Sequence, residues 1–256
     1  DPSNSQIMYG ETQSGGLNRT TDGGTNWSGI EPTGAGGAAW VMPYVIDPNN
    51  SATLYAGYEE VWKTTNRGNT WTQISTFGTG ATLRYIEVAP SNSNYIYTGT
   101  AGTLRMTANG GTSWTTITPN LPGGSAVKYI AIDPLNEQRL WISLSGYNTG
   151  EKVFYSANAG TSWTNISGNL PNLPVNCISY QAGSADGLYV GTDVGVYYKD
   201  NNLSTWQPYM TNLPNVMVYE LEIHYGVNKL RAATYGRGIW ESDLFTPSPF
   251  PPDAPN

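Results

Sequence analysis

The sequence predicts an all-β fold of repeated four-stranded antiparallel sheets, arranged as the blades of a β-propeller. Three observations carry this. A turn motif recurs at near-constant spacing, apolar alternating segments precede each copy, and the composition favours strands and turns over helices.

The turn is the clearest element. Thr20-Thr21-Asp22-Gly23-Gly24-Thr25-Asn26-Trp27 returns as Thr64-Thr65-Asn66-Arg67-Gly68-Asn69-Thr70-Trp71. It returns again around Asn109 and Trp114, and around Asn158 and Trp163, with a decayed copy running from Asp200 to Trp206. The tryptophans are 44, 43, 49 and 43 residues apart. An Asp or Asn side chain accepts hydrogen bonds from backbone N–H groups two residues on, and a following Gly supplies positive φ without steric cost. The motif is thus a hairpin turn stabilised by its own side chains, with the Trp expected to plug into the layer beside it.

The strands follow from the turns. Thr53-Leu54-Tyr55-Ala56, Tyr95-Ile96-Tyr97-Thr98 and Gly187-Leu188-Tyr189-Val190 match one another and Ile7-Met8-Tyr9-Gly10. An earlier segment matches in Tyr44-Val45-Ile46-Asp47-Pro48, Tyr85 to Pro90 and Tyr129 to Pro134, and persists without Asp-Pro near Cys177 and Tyr219. Val61 to Thr64 and Val153 to Ser156 form a third set. Period-2 alternation broken at turn residues marks strands, and four per repeat of 40–45 residues marks a propeller blade. A solenoid is the competing arrangement, but its repeats are shorter, with one strand each.

Six repeats are visible, and the outer two are incomplete. The first opens at Asp1-Pro2, after the place of its innermost strand. The last aligns Trp240 with Trp62 and Phe154 in the third strand, so it lacks its fourth. Open edges are aggregation hazards, which predicts a closing strand from sequence upstream of Asp1. The expected organisation is a propeller over 1–245 and a Pro-rich linker over 246–256, with further domains of the same polypeptide on both sides. Six repeats set a lower bound, compatible with six, seven or eight blades.

Composition narrows the partners. The formal net charge is −7, with only 12 Lys and Arg among 256 residues and no run of them. A nucleic-acid binder needs a positive surface, so nucleic acid is not an expected partner. No stretch of about 18 apolar residues exists, so no membrane insertion is expected. One Cys and one His cannot build a zinc cage, and Asn in place of Asp22 in the other turns weakens a hard-cation site; no metal or cofactor is expected. Cys177 is expected in the core, and His224 in a turn.

The motif Ser/Thr-x-Asp/Asn-x-Gly-x-Thr/Ser/Asn-Trp resembles the Asp-box, or BNR repeat, of sialidases, sortilin-type receptors, xyloglucanase-type glycoside hydrolases and photosystem assembly factors. The last repeat, Lys229 to Glu241, is similar to the final blade of propellers in large secreted bacterial proteins. The resemblance implies an extracellular or cell-surface location and leaves the activity open. In such propellers the ligand sites use the face opposite the boxes, on the loops joining fourth to first and second to third strands.

Those loops hold Glu11, Trp40, Tyr58, Glu59, Phe77, Arg84, Tyr147, Glu151, Asp193, Tyr235 and Arg237. Aromatic planes beside carboxylates suit sugar stacking with hydroxyl hydrogen bonding. A sialidase would need a converging arginine triad, whereas Arg19 and Arg105 are expected at equivalent outward-facing strand positions and Arg67 in a turn. A xyloglucanase would need two carboxylates flanking a cleft. No catalytic residue is assigned. The function expected is recognition or scaffolding without catalysis, with polysaccharide or a cell-surface protein as partner. A glycoside hydrolase and a sortilin-like peptide receptor are the alternatives.

Overall fold

The computed structural model describes residues 1–118 and 126–246; the expected linker, apart from Thr246, lies outside them. Among the described residues the strands form six antiparallel sheets, each a meander in chain order. The first has β1 (Met8–Thr12), β2 (Gly16–Thr20) and β3 (Ser28–Gly29). The second has β4 (Tyr44–Asp47), β5 (Asn50–Gly57), β6 (Val61–Thr64) and β7 (Thr72–Gln73). The third has β8 (Tyr85–Val88), β9 (Ile96–Thr100), β10 (Thr103–Thr107) and β11 (Thr115–Thr116). The fourth has β12 (Val127–Asp133), β13 (Asn136–Leu144), β14 (Val153–Ser156) and β15 (Thr164–Asn165). The fifth has β16 (Val175–Gln181), β17 (Gly187–Thr192), β18 (Gly195–Lys199) and β19 (Gln207–Pro208), and the sixth β20 (Val218–His224), β21 (Lys229–Thr234) and β22 (Gly238–Asp243). These are the blades of a β-propeller. Among the described residues the first sheet has no innermost strand and the sixth no outermost one, as expected.

The chain divides into two compact units, Asp1–Val175 and Asn176–Asn256. In the first, the core lies between successive sheets. Leu17, Ile30, Met42, Ala56 and Tyr58 pack the first sheet on the second, and Tyr55, Val61, Ile86, Val88 and Ile96 the second on the third. Leu104, Ile117, Ile130, Leu140, Ile142 and Phe154 do so for the third and fourth. The second strand of the second sheet is sandwiched between the first and third sheets, which is why Leu54 to Gly57 are buried without a break. The fourth strands are two residues long and exposed, which blunts the sheet edge.

The repeated turn differs in one detail from the sequence expectation. Two residues on, the acceptor is the leading hydroxyl: Thr64 Oγ1 accepts from the Asn66 and Gly68 N–H groups at 3.3 and 3.0 Å. The Asn or Asp reaches four residues on, Asn66 Oδ1 accepting from the Thr70 N–H at 2.9 Å. The Gly has two reasons to be Gly. Gly68 has φ +89°, and a Cβ there would fall 2.6 Å from Ile30 Cδ1 of the preceding sheet.

The box tryptophans plug into that preceding sheet. Trp71 Nε1 donates to Ile30 O at 2.6 Å, Trp114 to Ile74 O at 2.8 Å and Trp163 to Ile117 O at 3.1 Å. Trp27 instead turns back onto Gly24 O of its own turn and is 47% exposed. In the second unit Trp206 is buried, although its turn has decayed to an Asp200 carboxylate accepting from the Asn202 and Leu203 N–H groups.

One expectation for the arginines needs correction. Arg19 and Arg105 are not equivalent. Arg105 pairs with Thr116 and Asn18 with Gly29, so Asn18 is the counterpart of Arg105 and Arg19 that of Met106. One residue of slip exchanges sheet faces. Arg19 Nη1 accordingly donates forward to Asn69 Oδ1 of the second sheet, while the Arg105 guanidinium sits over Phe77, which follows that same sheet. Arg67 lies in its turn, as expected, where its Nε donates to Asp1 Oδ2 at 2.8 Å.

In the second unit Cys177 is buried, as expected, and His224 ends β20, exposed. Phe245, just beyond β22, stacks on Tyr198 at 4.2 Å and donates its N–H to the Tyr189 hydroxyl.

Candidate functional site

The loop between β3 and β4 carries the most exposed large aromatic of the first unit. Trp40 is 69% exposed, with Val41 open beside it. The main chain around it is nonetheless held. The Ser14 N–H donates to Trp40 O at 3.1 Å, and the Met42 N–H donates to Glu11 Oε1 at 3.1 Å. Glu11 Oε1 also accepts from the Gly15 N–H, so one carboxylate joins two loops. Glu59, between β5 and β6, accepts the Gly37 N–H at 3.0 Å on the same long loop. Arg84 follows Leu83, whose N–H donates to Tyr58 O, and the Arg84 side chain is exposed. The structure thus brings the loops of Trp40, Glu59 and Arg84 into one bonded set at the second-to-third and fourth-to-first connections.

Tyr58 does not belong to the exposed set. It is 4% exposed, and its hydroxyl donates to Gly15 O at 2.7 Å. Burial raises its phenol above the usual range, with the Glu31 and Glu11 carboxylates adding to the shift. The cause is position: Tyr58 continues the sandwiched run of β5 and supports the Gly15 turn from beneath. Phe77 stands apart from the Trp40 loops: it is half-buried, meets Trp114 edge-on at 5.3 Å, and its N–H is held by Glu60.

Tyr147 and Glu151 lie on the connection between β13 and β14 of the fourth sheet, where Tyr147 is 65% exposed. Sequence reasoning missed the residue that fixes this loop. Lys152 is buried and donates its ammonium to Gly146 O at 2.8 Å, and burial lowers its pKa. In the second unit, Asp193 accepts from Asn176 Nδ2 at 3.0 Å. Tyr235 is exposed and lies edge-on to Tyr219, while Arg237 offers its carbonyl to Trp240 Nε1.

Chemically, the carboxylates of the first-unit loops act as braces for backbone N–H groups, and the indole of Trp40 is left free on a fixed backbone. No group of three or more His, Cys, Asp or Glu able to hold a metal occurs among the described residues. No described helix is long and apolar enough to cross a membrane.

No family model matches the chain, and no curated protein matches it. Solved structures do. An ancestral GH74 enzyme superposes with a TM-score of 0.73 at 20% identity, over 94% of this chain and 35% of that one. The extracellular domain of a hybrid two component system protein from B. thetaiotaomicron gives 0.68 at 15% identity, over 93% and 32%. YCF48 bound to D1 peptide gives 0.66 at 15% identity, over 94% and 75%. The chain spans about a third of the GH74 enzyme's length. At such identities these likenesses establish the class of protein, a β-propeller, and no more.

Proposed function

We propose that the chain is a non-catalytic recognition module, of the Asp-box kind, in an exported or cell-surface protein, and that it binds polysaccharide through the loop face around Trp40. The observation that carries this reading is the free Trp40 indole on a braced main chain. An open indole is unfavourable to leave in water and costs little conformational entropy to use, because its backbone is already fixed. Sugars present an apolar C–H face to such a ring and hydroxyl groups to nearby carboxylates and guanidinium groups, here Glu59 and Arg84. Tyr147 is a second exposed ring in the same unit. The GH74 likeness favours, as a second reading, a glycoside hydrolase whose cleft uses paired carboxylates. A glycan array with the purified chain tests the first reading. Binding should fall about tenfold, about 1.4 kcal/mol, in Trp40→Ala. Release of reducing sugar, abolished by Glu59→Gln, would establish the second instead.

A further inference from the structure

A second concave site lies on the outer strands of the first unit. A groove of about 470 Å³ separates β7 and the residues after it from β10 and β11. Its polar rim includes Gln73, Thr112, Ser113 and Thr116, and its walls are Phe77, Trp114 and Arg105.

Arg105 is the unusual member. Its register position is occupied by Trp62 in the second sheet and Phe154 in the fourth, each paired with the same point of a fourth strand. Where those sheets place an aromatic plug, the third sheet places a guanidinium. It lies 4.5 Å over the Phe77 ring, and its Nη1 is buried with no hydrogen-bond partner. No carboxylate pairs with it among the described residues. Glu60, whose carboxylate meets the Phe77 loop, is spent on Ser75 and on the Phe77 and Gly78 N–H groups at 2.8 Å. Arg105 as a whole is half-buried, and a partly enclosed guanidinium without a counter-charge favours a ligand that brings one. Phe77 and Trp114, at 82° to one another, offer two ring surfaces beside it.

We propose that this groove binds an acidic saccharide, its uronate carboxylate paired with the Arg105 guanidinium and its ring resting against Phe77 and Trp114. Arg presents a planar fork of donors that matches a carboxylate. The hydroxyl and amide rim supplies partners for sugar hydroxyls. The site is separate from the Trp40 loop face and stands or falls without it.

Calorimetric titration of the whole chain with trigalacturonate, and with cellotriose as the neutral control, tests the assignment. Trigalacturonate should bind, weaken with added salt, and lose about tenfold or more in affinity in Arg105→Gln and in Phe77→Ala. Trp40→Ala should leave this binding unchanged, which separates it from the loop-face reading. Equal affinity for cellotriose, equal affinity for a tri-glutamate peptide, or unaltered binding by Arg105→Gln would overturn it. If Arg105→Gln does not fold, the Trp114 indole N–H resonance of the wild-type chain must shift on trigalacturonate addition, and an unmoved resonance overturns the assignment equally.

Discussion

The indole of Trp114 donates to the carbonyl of Ile74, 2.8 Å away, and so ties the third sheet of the first unit to the second. The same bond is made by Trp71 to Ile30, whereas Trp27 bonds only within its own turn. Replacing Trp114 or Trp71 with Ala should therefore destabilise the chain by about 3 kcal/mol, the range for a large ring removed from a packed contact. Trp27→Ala should cost about 1 kcal/mol or less, as an exposed ring does. Urea denaturation of the three variants checks the ranking, and equal losses at all three would refute the role given to the inter-sheet bond.

Tyr58 and Trp40 should separate stability from binding. Tyr58→Phe leaves the buried Gly15 carbonyl without its donor, at a cost of about 1–2 kcal/mol. It should leave glycan affinity unchanged. Trp40→Ala should do the reverse, changing affinity with a melting temperature close to that of the wild type. A binding defect in Tyr58→Phe at a temperature where it is folded would return Tyr58 to the site.

Among the four clear copies of the turn, the first should be the acid-sensitive one. Asp22 is held at about 2, chiefly by the Asn26 backbone N–H, then by the Asn26 and Thr20 side chains. Its folded pKa lies below the unfolded value of about 3.9. Its contribution is thus fully present above pH 4 and is lost as the pH falls through 2. The corresponding residues Asn66, Asn109 and Asn158 do not titrate. Asp22→Asn removes the titrating carboxylate and should flatten the stability profile between pH 4 and 2. Stability curves measured on both proteins decide the matter.

Cys177 should be a reporter of unfolding. Burial raises its thiol well above the ordinary range, and its Sγ lies 3.9 Å from Val218 O. The thiolate is the reactive form. Labelling by a thiol reagent at pH 8 should be negligible in the folded chain and rapid in denaturant. Prompt labelling of the folded chain would show that the second unit opens locally.

Much of this was legible from residue spacing. Trp71, Trp114 and Trp163 marked the turns, and Val61 to Thr64 and Val153 to Ser156 are strands with the ends the alternation set. Residue spacing is a local property, and local turn chemistry fixes it. What depends on a neighbouring sheet was not visible. Tyr58 sits where a loop begins, yet it is covered by the Gly15 turn, 43 residues earlier. Arg19 and Arg105 look alike in sequence, but their faces are set by a pairing register that a one-residue difference in strand alignment reverses. Lys152 follows Glu151 as an ordinary polar pair, and only the fold shows that its ammonium is enclosed.

Each indole tie reaches one sheet back and no further. A substitution at one joint therefore has to be accommodated only by the two sheets that meet there. The fifth repeat is locally different in this way, with an Asp200 turn in place of the hydroxyl and amide lock while Trp206 stays enclosed. Such a chain has room to refashion a single joint for a ligand, as at Arg105, without renegotiating the rest of the architecture.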